Sequence, residues 1–245
     1  MSRKFGLIGK SLSHSFSASY FARKFDELGI QDSHSYELLE FDDEKELSQF
    51  LNLPIAYNGF NVTNPYKMDV AGKCDILVGY AARSGAVNTV VVKREKLIGF
   101  NTDVYGLKKT ITDLKTQIKN ALILGTGGAA KAVCLALDDL RIDHKSISRR
   151  EKYTDYTYKS LAVRSKLSDF QLIINATPVG MYPEIQNKPS LNYYELNQKN
   201  ILFDLIYNPQ KSLFLKEGEK RGCTVINGTK MLYGQADLSW HLWSS

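Results

Sequence analysis

Apolar residues fall along this chain in two kinds of segment, short unbroken runs and longer stretches with helical spacing, and the two kinds alternate. Residues 5–9 form a compact apolar run ending in glycine, which predicts a buried strand. Residues 15–29 put Phe16, Tyr20 and Phe21 on one side of a helix, and residues 36–41 predict a second strand. Asp42 is placed to cap a helix running to Phe50, and residues 59–63 form a strand entering the Asn64-Pro65 turn. Residues 87–92 and 97–99 flank the polar stretch 93–96, as in a hairpin, and residues 101–119 predict one long helix.

A second series begins after Asn120. A strand at 121–124 leads through a glycine turn into a helix ending near Leu140, and further strands follow near 145–148 and at 172–175 and 201–204. Val225 and Ile226 close the series, and residues 228–243 predict a terminal amphipathic helix. This alternation predicts an α/β protein whose parallel sheet carries helices on both faces. The tyrosine-rich stretch 153–158 reads as a packed or amphipathic surface segment.

Composition narrows the function classes. At 245 residues, 43% hydrophobic and 24% charged, the chain has the makeup of an ordinary globular protein with room for two domains. No apolar run reaches membrane-spanning length and no signal-like core opens the chain, so a cytoplasmic protein without a membrane partner is expected. The formal charge of +6 is spread along the chain, which favours small phosphates and carboxylates over nucleic acid. Cys74, Cys134 and Cys223 lack Cys-x-x-Cys spacing and read as reduced, mostly buried thiols, and the four histidines form no ligand pair at helical spacing, so no metal is expected.

The sharpest motif is Leu122-Ile123-Leu124-Gly125-Thr126-Gly127-Gly128-Ala129-Ala130, an apolar strand running into glycines and then into a helix of small residues. Gly125 permits a tight turn, Gly127 lets the backbone approach a pyrophosphate, and Ala130 takes the position where a small residue allows close packing of helix on sheet. Thr126, Gly128 and Ala129 complete the loop, whose free N–H groups and helix dipole suit phosphate oxygens. The next strand ends in Ser148-Arg149-Arg150, where an NAD site carries an acidic residue; guanidinium groups there match the 2′-phosphate of NADP. Glu151 follows directly and leaves some use of NAD open.

Before this loop, three segments end strands in polar groups: Asn61-Val62-Thr63-Asn64-Pro65-Tyr66-Lys67, Gly85-Ala86-Val87-Asn88-Thr89 and Gly99-Phe100-Asn101-Thr102-Asp103. Such ends suit a polyhydroxylated ligand. Reduction of a carbonyl needs a proton delivered to the developing alkoxide, which singles out Lys67 and Asp103 as the acid-base pair.

With these motifs in this order, the chain resembles the shikimate dehydrogenase family over nearly its whole length. The resemblance implies an N-terminal α/β substrate-binding domain at 1–102, a Rossmann NAD(P)-binding domain at 103–227, and a C-terminal helix, 228–245, returning to the substrate domain. Ser15 and Ser17 match residues that bind the substrate carboxylate, and Asn61, Thr63, Asn88 and Gln235 match residues that hold ring hydroxyls. Lys67 and Asp103 match the catalytic pair, and Tyr207 a tyrosine that reaches the substrate. Asn175-Ala176-Thr177-Pro178-Val179-Gly180-Met181 resembles the loop beside the nicotinamide, with Thr177, Leu205 and Gly228 on that side of the cofactor. The implied activity is reversible NADPH-dependent reduction of 3-dehydroshikimate to shikimate, by a monomer or homodimer. Ala18, Gly79 and Ser148 depart from the family's usual proline, acidic residue and asparagine. A quinate/shikimate dehydrogenase using NAD and a non-catalytic NADP-binding regulatory protein are the alternatives.

Overall fold

A computed structural model describes residues 2–13, 15–52, 54–149 and 154–245. Its contacts divide the chain into two units, Met1–Asp103 with Gln235–Ser245, and Val104–Gly234.

The first unit contains β1 (Arg3–Gly9), α1 (Phe16–Glu27), β2 (His34–Glu40), α2 (Glu44–Asn52), β3 (Gly59–Val62), α3 (Lys67–Ala71), β4 (Ile76–Leu77), α4 (Tyr80–Ser84), β5 (Thr89–Lys93) and β6 (Lys96–Phe100). Its sheet runs β2-β1-β3-β5-β6-β4. β1 pairs in parallel with both β2 and β3, whereas β5 is antiparallel to β3 and β6. The β5–β6 turn puts Arg94 and Glu95 at φ of 51° and 63°. Two left-handed residues in succession match the twist of the flanking strands, which holds this hairpin in register.

Phe5, Leu7 and Ile8 of β1 are all buried because both faces of the strand are covered, so it reads as a run and not as an alternation. One face meets Leu47, Phe60, Val62 and Val87. On the other, Phe5 stacks on Trp243 at 4.6 Å between ring centroids, and Trp243 Nε1 donates to Val90 O at 2.9 Å. The cap of α2 is Asp43 and not the expected Asp42. Asp43 Oδ1 accepts the Glu46 N–H at 2.9 Å while Glu46 Oε2 accepts the Asp42 N–H at 3.0 Å, a reciprocal pair that starts the helix one residue later.

In the second unit, α5 (Asp103–Thr112) is shorter than the helix expected at 101–119. Lys115 turns to a φ of 51°, which ends the helical path, and Ile118 is buried on the approach to the next strand. There follow β7 (Asn120–Leu124), α6 (Gly128–Asp139), β8 (Asp143–Ser148), β9 (Tyr156–Thr157), α7 (Tyr158–Arg164), β10 (Leu172–Asn175), β11 (Ile201–Asp204), α8 (Leu213–Glu219), β12 (Thr224–Ile226) and α9 (Thr229–Ser244), whose residues from Gln235 onward belong to the first unit. The sheet order is β12-β11-β10-β7-β8-β9, with every pair parallel. This is the doubly wound order of a Rossmann sheet, in which the strand sequence reverses between β7 and β10 and a crevice opens beyond their carboxyl ends. Among the described residues no helix is long and apolar enough to cross a membrane.

Candidate active site

In the first unit, Tyr66 donates its hydroxyl to Phe41 O at 2.6 Å, and this buried anchor fixes the turn from which α3 starts at Lys67. Asp103 opens α5, where the helix N-terminus favours a carboxylate. Lys67 Nζ lies 2.7 Å from Asp103 Oδ2, and the two side chains are 27% and 17% exposed. The pair is therefore partly desolvated yet open to a ligand, the setting in which a charge-assisted hydrogen bond holds an ammonium in one orientation.

Asn88 supports that pair. Its Nδ2 donates to Asp103 Oδ1 at 2.9 Å, while its Oδ1 accepts the Thr102 N–H at 2.7 Å. Asn61 Oδ1 accepts the Tyr36 hydroxyl at 2.8 Å, and Asn61 Nδ2 lies 3.3, 3.2 and 3.0 Å from Asn88 O, Thr89 Oγ1 and Ser239 Oγ. The Asn61 nitrogen is thus engaged within the protein, and its oxygen, with one bond accepted, keeps acceptor capacity. Thr102 Oγ1 reaches Gln235 Oε1 at 3.5 Å, bringing Gln235 to the same cluster. Among the described residues the Thr63 hydroxyl makes no hydrogen bond. Ser15 caps α1, its Oγ accepting the Ser17 N–H at 3.2 Å, and its own O–H remains to donate. Burial holds the Tyr36 phenol well above its usual range, against a lowering effect of the Ser17 side chain. His14 lies outside the described residues.

In the second unit, Gly125 sits at a φ of +107°, and a β-carbon there would come within 2.9 Å of Thr177 Cγ2. Gly127 caps α6 and Gly128 begins it; β-carbons on either would meet no protein atom within 4 Å. Backbone strain and packing therefore demand glycine at 125 alone. At 127 and 128 the missing side chains leave open space over a helix N-terminus with no acidic residue in its first turn, as a pyrophosphate requires. Thr126 lies on the same loop and Ala129 in the first turn of α6, both exposed, whereas Ala130 is 2% exposed and packs inward. Ser148 ends β8, with Arg149 exposed directly after it, while Arg150 and Glu151 lie outside the described residues.

The ends of β10 and β11 are joined to this loop. Asn175 Oδ1 accepts the Thr177 N–H at 3.1 Å, and the Leu205 N–H donates to Asn175 O at 3.1 Å. A β-carbon on Gly228 would stand 2.1 Å from Leu205 O, so glycine is required for these two backbones to meet. Tyr207 is 38% exposed, and partial burial raises its phenol. The thiols are unsuited to nucleophilic work: burial pushes Cys74 up to about 12 and raises Cys134 and Cys223. Among the described residues no three His, Cys, Asp or Glu side chains are grouped to hold a metal ion.

The family model for the shikimate dehydrogenase substrate binding domain matches residues 7–90. A protein of Methanococcus aeolicus named shikimate dehydrogenase (NADP+) is 34% identical, over 98% of this chain and 91% of its own. The chain belongs to the shikimate dehydrogenase family. Among solved structures, shikimate dehydrogenase 1 of Peptoclostridium difficile superposes with a TM-score of 0.85 at 34% identity, covering 99% of this chain and 92% of that one. The shikimate 5-dehydrogenase of Thermus thermophilus, solved in complex with NADP(H) and shikimate, gives a TM-score of 0.84 at 29% identity, covering 99% and 93%.

Beside the residues that the motifs of shikimate dehydrogenases pick out, the structure adds a layer of buried Thr89, Thr102 and Ser239 with half-buried Tyr36. Thr89 and Thr102 lie within motifs already singled out, and Ser239 is one helical turn beyond Gln235, its Oγ 2.8 Å from Thr89 Oγ1 and donating to Gln235 O at 2.9 Å. Tyr36 gives no such signal, since a strand tyrosine is ordinarily a packing residue.

In the Rossmann unit, burial raises the Asp204 carboxyl to about 6 from an ordinary 3.8, against the lowering effect of hydrogen bonds from Ser212, Ile206 and Asn175. Well below its ordinary value of 3.8 the carboxyl is protonated in both folded and unfolded chains and carries no penalty. As pH rises to 6 the unfolded chain releases the proton first, so stability falls across this window by about 3 kcal/mol and then levels. Asp204→Asn removes this dependence. Urea unfolding at pH 4.5 and pH 7 should show the variant gaining on the native protein by about 2 kcal/mol between the two; a constant difference would show that Asp204 does not titrate there.

Proposed function

We propose that this chain catalyses the reversible NADPH-dependent reduction of 3-dehydroshikimate to shikimate, the shikimate-pathway step that leads towards aromatic amino acids. The observation that carries this reading is the Lys67–Asp103 pair at 2.7 Å, held by Asn88, in a chain that also carries a glycine loop shaped for a pyrophosphate.

Ser15 and Ser17 bind the substrate carboxylate at the start of α1, where hydroxyl donors and the helix dipole favour an anion. Asn61, Thr63, Asn88, Gln235 and Tyr207 hold the ring oxygens. Lys67 donates its Nζ proton to the carbonyl oxygen as that oxygen gains charge, and Asp103 keeps the ammonium aimed. In the oxidation direction Lys67 takes the proton of the shikimate hydroxyl. NADP(H), when bound, supplies or accepts the hydride.

Gly125, Thr126, Gly127, Gly128 and Ala129 hold the cofactor's pyrophosphate, and Thr177, Leu205 and Gly228 flank its nicotinamide. Ser148, Arg149 and Arg150 take the 2′-phosphate. Arg149→Ala should raise the KM for NADP+ about 10- to 100-fold, the worth of a charge-assisted phosphate contact, and leave the KM for NAD within about threefold. Equal effects on both cofactors would assign Arg149 to some other part of the nucleotide.

The direct test is incubation of the protein with 3-dehydroshikimate and NADPH. Loss of NADPH absorbance with one shikimate formed per NADPH consumed is expected. No consumption under conditions where NADPH binds would overturn the proposal.

A further inference from the structure

Asp204, the last residue of β11, is 0% exposed, and among the described residues no cation pairs with it. A buried carboxylate without a cation is costly, and here hydrogen bonds from three segments offset that cost. Oδ1 accepts Asn175 Nδ2 at 3.0 Å and the Ile206 N–H at 3.1 Å, while the Ser212 hydroxyl donates to Oδ2. A well-packed apolar residue would be cheaper here, so the carboxylate's retention points to an orienting task.

That task is legible in Asn175. An amide side chain presents an oxygen one way and a nitrogen the other, whereas an ionised carboxylate only accepts. Facing its Nδ2 to Asp204 turns the Oδ1 of Asn175 to the following loop, where it accepts the Thr177 N–H at 3.1 Å and the Thr177 hydroxyl at 2.6 Å. Nδ2 also donates to Val179 O at 3.3 Å, and Thr177 Oγ1 accepts the Val179 N–H at 3.3 Å. Thr177 Cγ2 in turn abuts the glycine turn at Gly125. On the other side, the Ile206 N–H held by Asp204 follows Leu205, and the Gly228 N–H donates to Ile206 O at 3.1 Å.

We propose that Asp204 is a positioning residue for the cofactor: by dictating the orientation of the Asn175 amide and holding the Ile206 N–H, it sets the places of Thr177, Leu205 and Gly228. The inference rests on the proposed reading of those three residues as the nicotinamide side of the NADP(H) site. It goes further, because it names a group that touches neither cofactor nor substrate and yet controls cofactor affinity.

The test uses the full chain, with steady-state kinetics for shikimate and NADP+, NADPH fluorescence titration and thermal unfolding. Asp204→Ala should raise the KM for NADP+ and the NADPH dissociation constant tenfold or more, with the KM for shikimate within twofold. Asp204→Asn, whose amide oxygen still accepts from Asn175 and Ile206, should bring both cofactor constants back within threefold of native. Should Asp204→Ala not fold, Thr177→Val serves in its place, because it keeps shape and main-chain bond and removes the oriented hydroxyl; a three- to tenfold rise in the KM for NADP+ is expected. Cofactor constants unchanged in the folded variants, or KM values for both substrates rising together, would overturn the proposal. So would an Asp204→Asn variant as impaired as Asp204→Ala. A native protein that does not bind NADPH would instead overturn the functional reading beneath it.

Discussion

Lys67→Ala should lower the turnover of shikimate by a factor of about 10² to 10⁴ and leave NADPH affinity unchanged. The magnitude is that of a positioned proton donor removed from the transition state. The selectivity follows from the structure: Lys67 opens α3 in the first unit, paired with Asp103 at 2.7 Å, while the glycine loop belongs to the second. The substitution should cost little stability, because Asp103 keeps its hydrogen bond from Asn88 and its place at the start of α5 once the lysine is gone. Asp103→Asn keeps an acceptor for Asn88 and Lys67 but loses the charge that aims the ammonium, so a smaller fall in kcat is expected. Initial rates with a parallel NADPH titration decide the matter. Undiminished turnover in Lys67→Ala would remove this lysine from the chemistry.

Gly127→Val should abolish useful NADP+ binding, raising its KM by about 100-fold or more, while the unliganded protein unfolds within a few degrees of native. Gly127 has φ −79° and ψ −170°, which any residue adopts, and a β-carbon there meets nothing within 4 Å. A valine side chain therefore harms only what occupies the space above the loop. Gly125→Ala should behave oppositely. At φ +107° and with Thr177 Cγ2 at 2.9 Å, the new β-carbon strains the fold itself, by about 1 to 3 kcal/mol. Thermal unfolding without ligand, paired with NADPH titration, separates the two effects. Native-like NADPH binding by Gly127→Val would show that the open space is not where the pyrophosphate lies.

How much of this was legible in the sequence depended on how local each signal is. β10 and β11 run from Leu172 to Asn175 and from Ile201 to Asp204 because four-residue runs buried on both faces leave no ambiguity of period. β9 was not legible: only Tyr156 and Thr157 pair, at the sheet edge, and tyrosines suit a surface stretch equally well. The helix expected at 101–119 overruns α5 because Leu114 and Ile118 keep helical spacing beyond Thr112, where α5 ends, and across the left-handed turn at Lys115.

In the site, Lys67 and Asp103 stand out as ionisable groups in polar strand-end motifs, and the structure brings them together. The layer of Tyr36, Asn61, Thr89, Thr102 and Ser239 depends on contacts between residues as far apart as Asn61 and Ser239, which no local pattern encodes. For the same reason Asn175 and Asp204 each read as a polar residue ending a buried strand, and only parallel pairing of β10 with β11 sets one beside the other.

The most direct measurement of the central claim compares kcat/KM for the four combinations of shikimate or quinate with NADP+ or NAD, using the purified protein. Shikimate with NADP+ should exceed each of the others by at least about tenfold, as expected where a 2′-phosphate contact contributes to cofactor binding. Quinate with NAD outpacing shikimate with NADP+ would contradict the account.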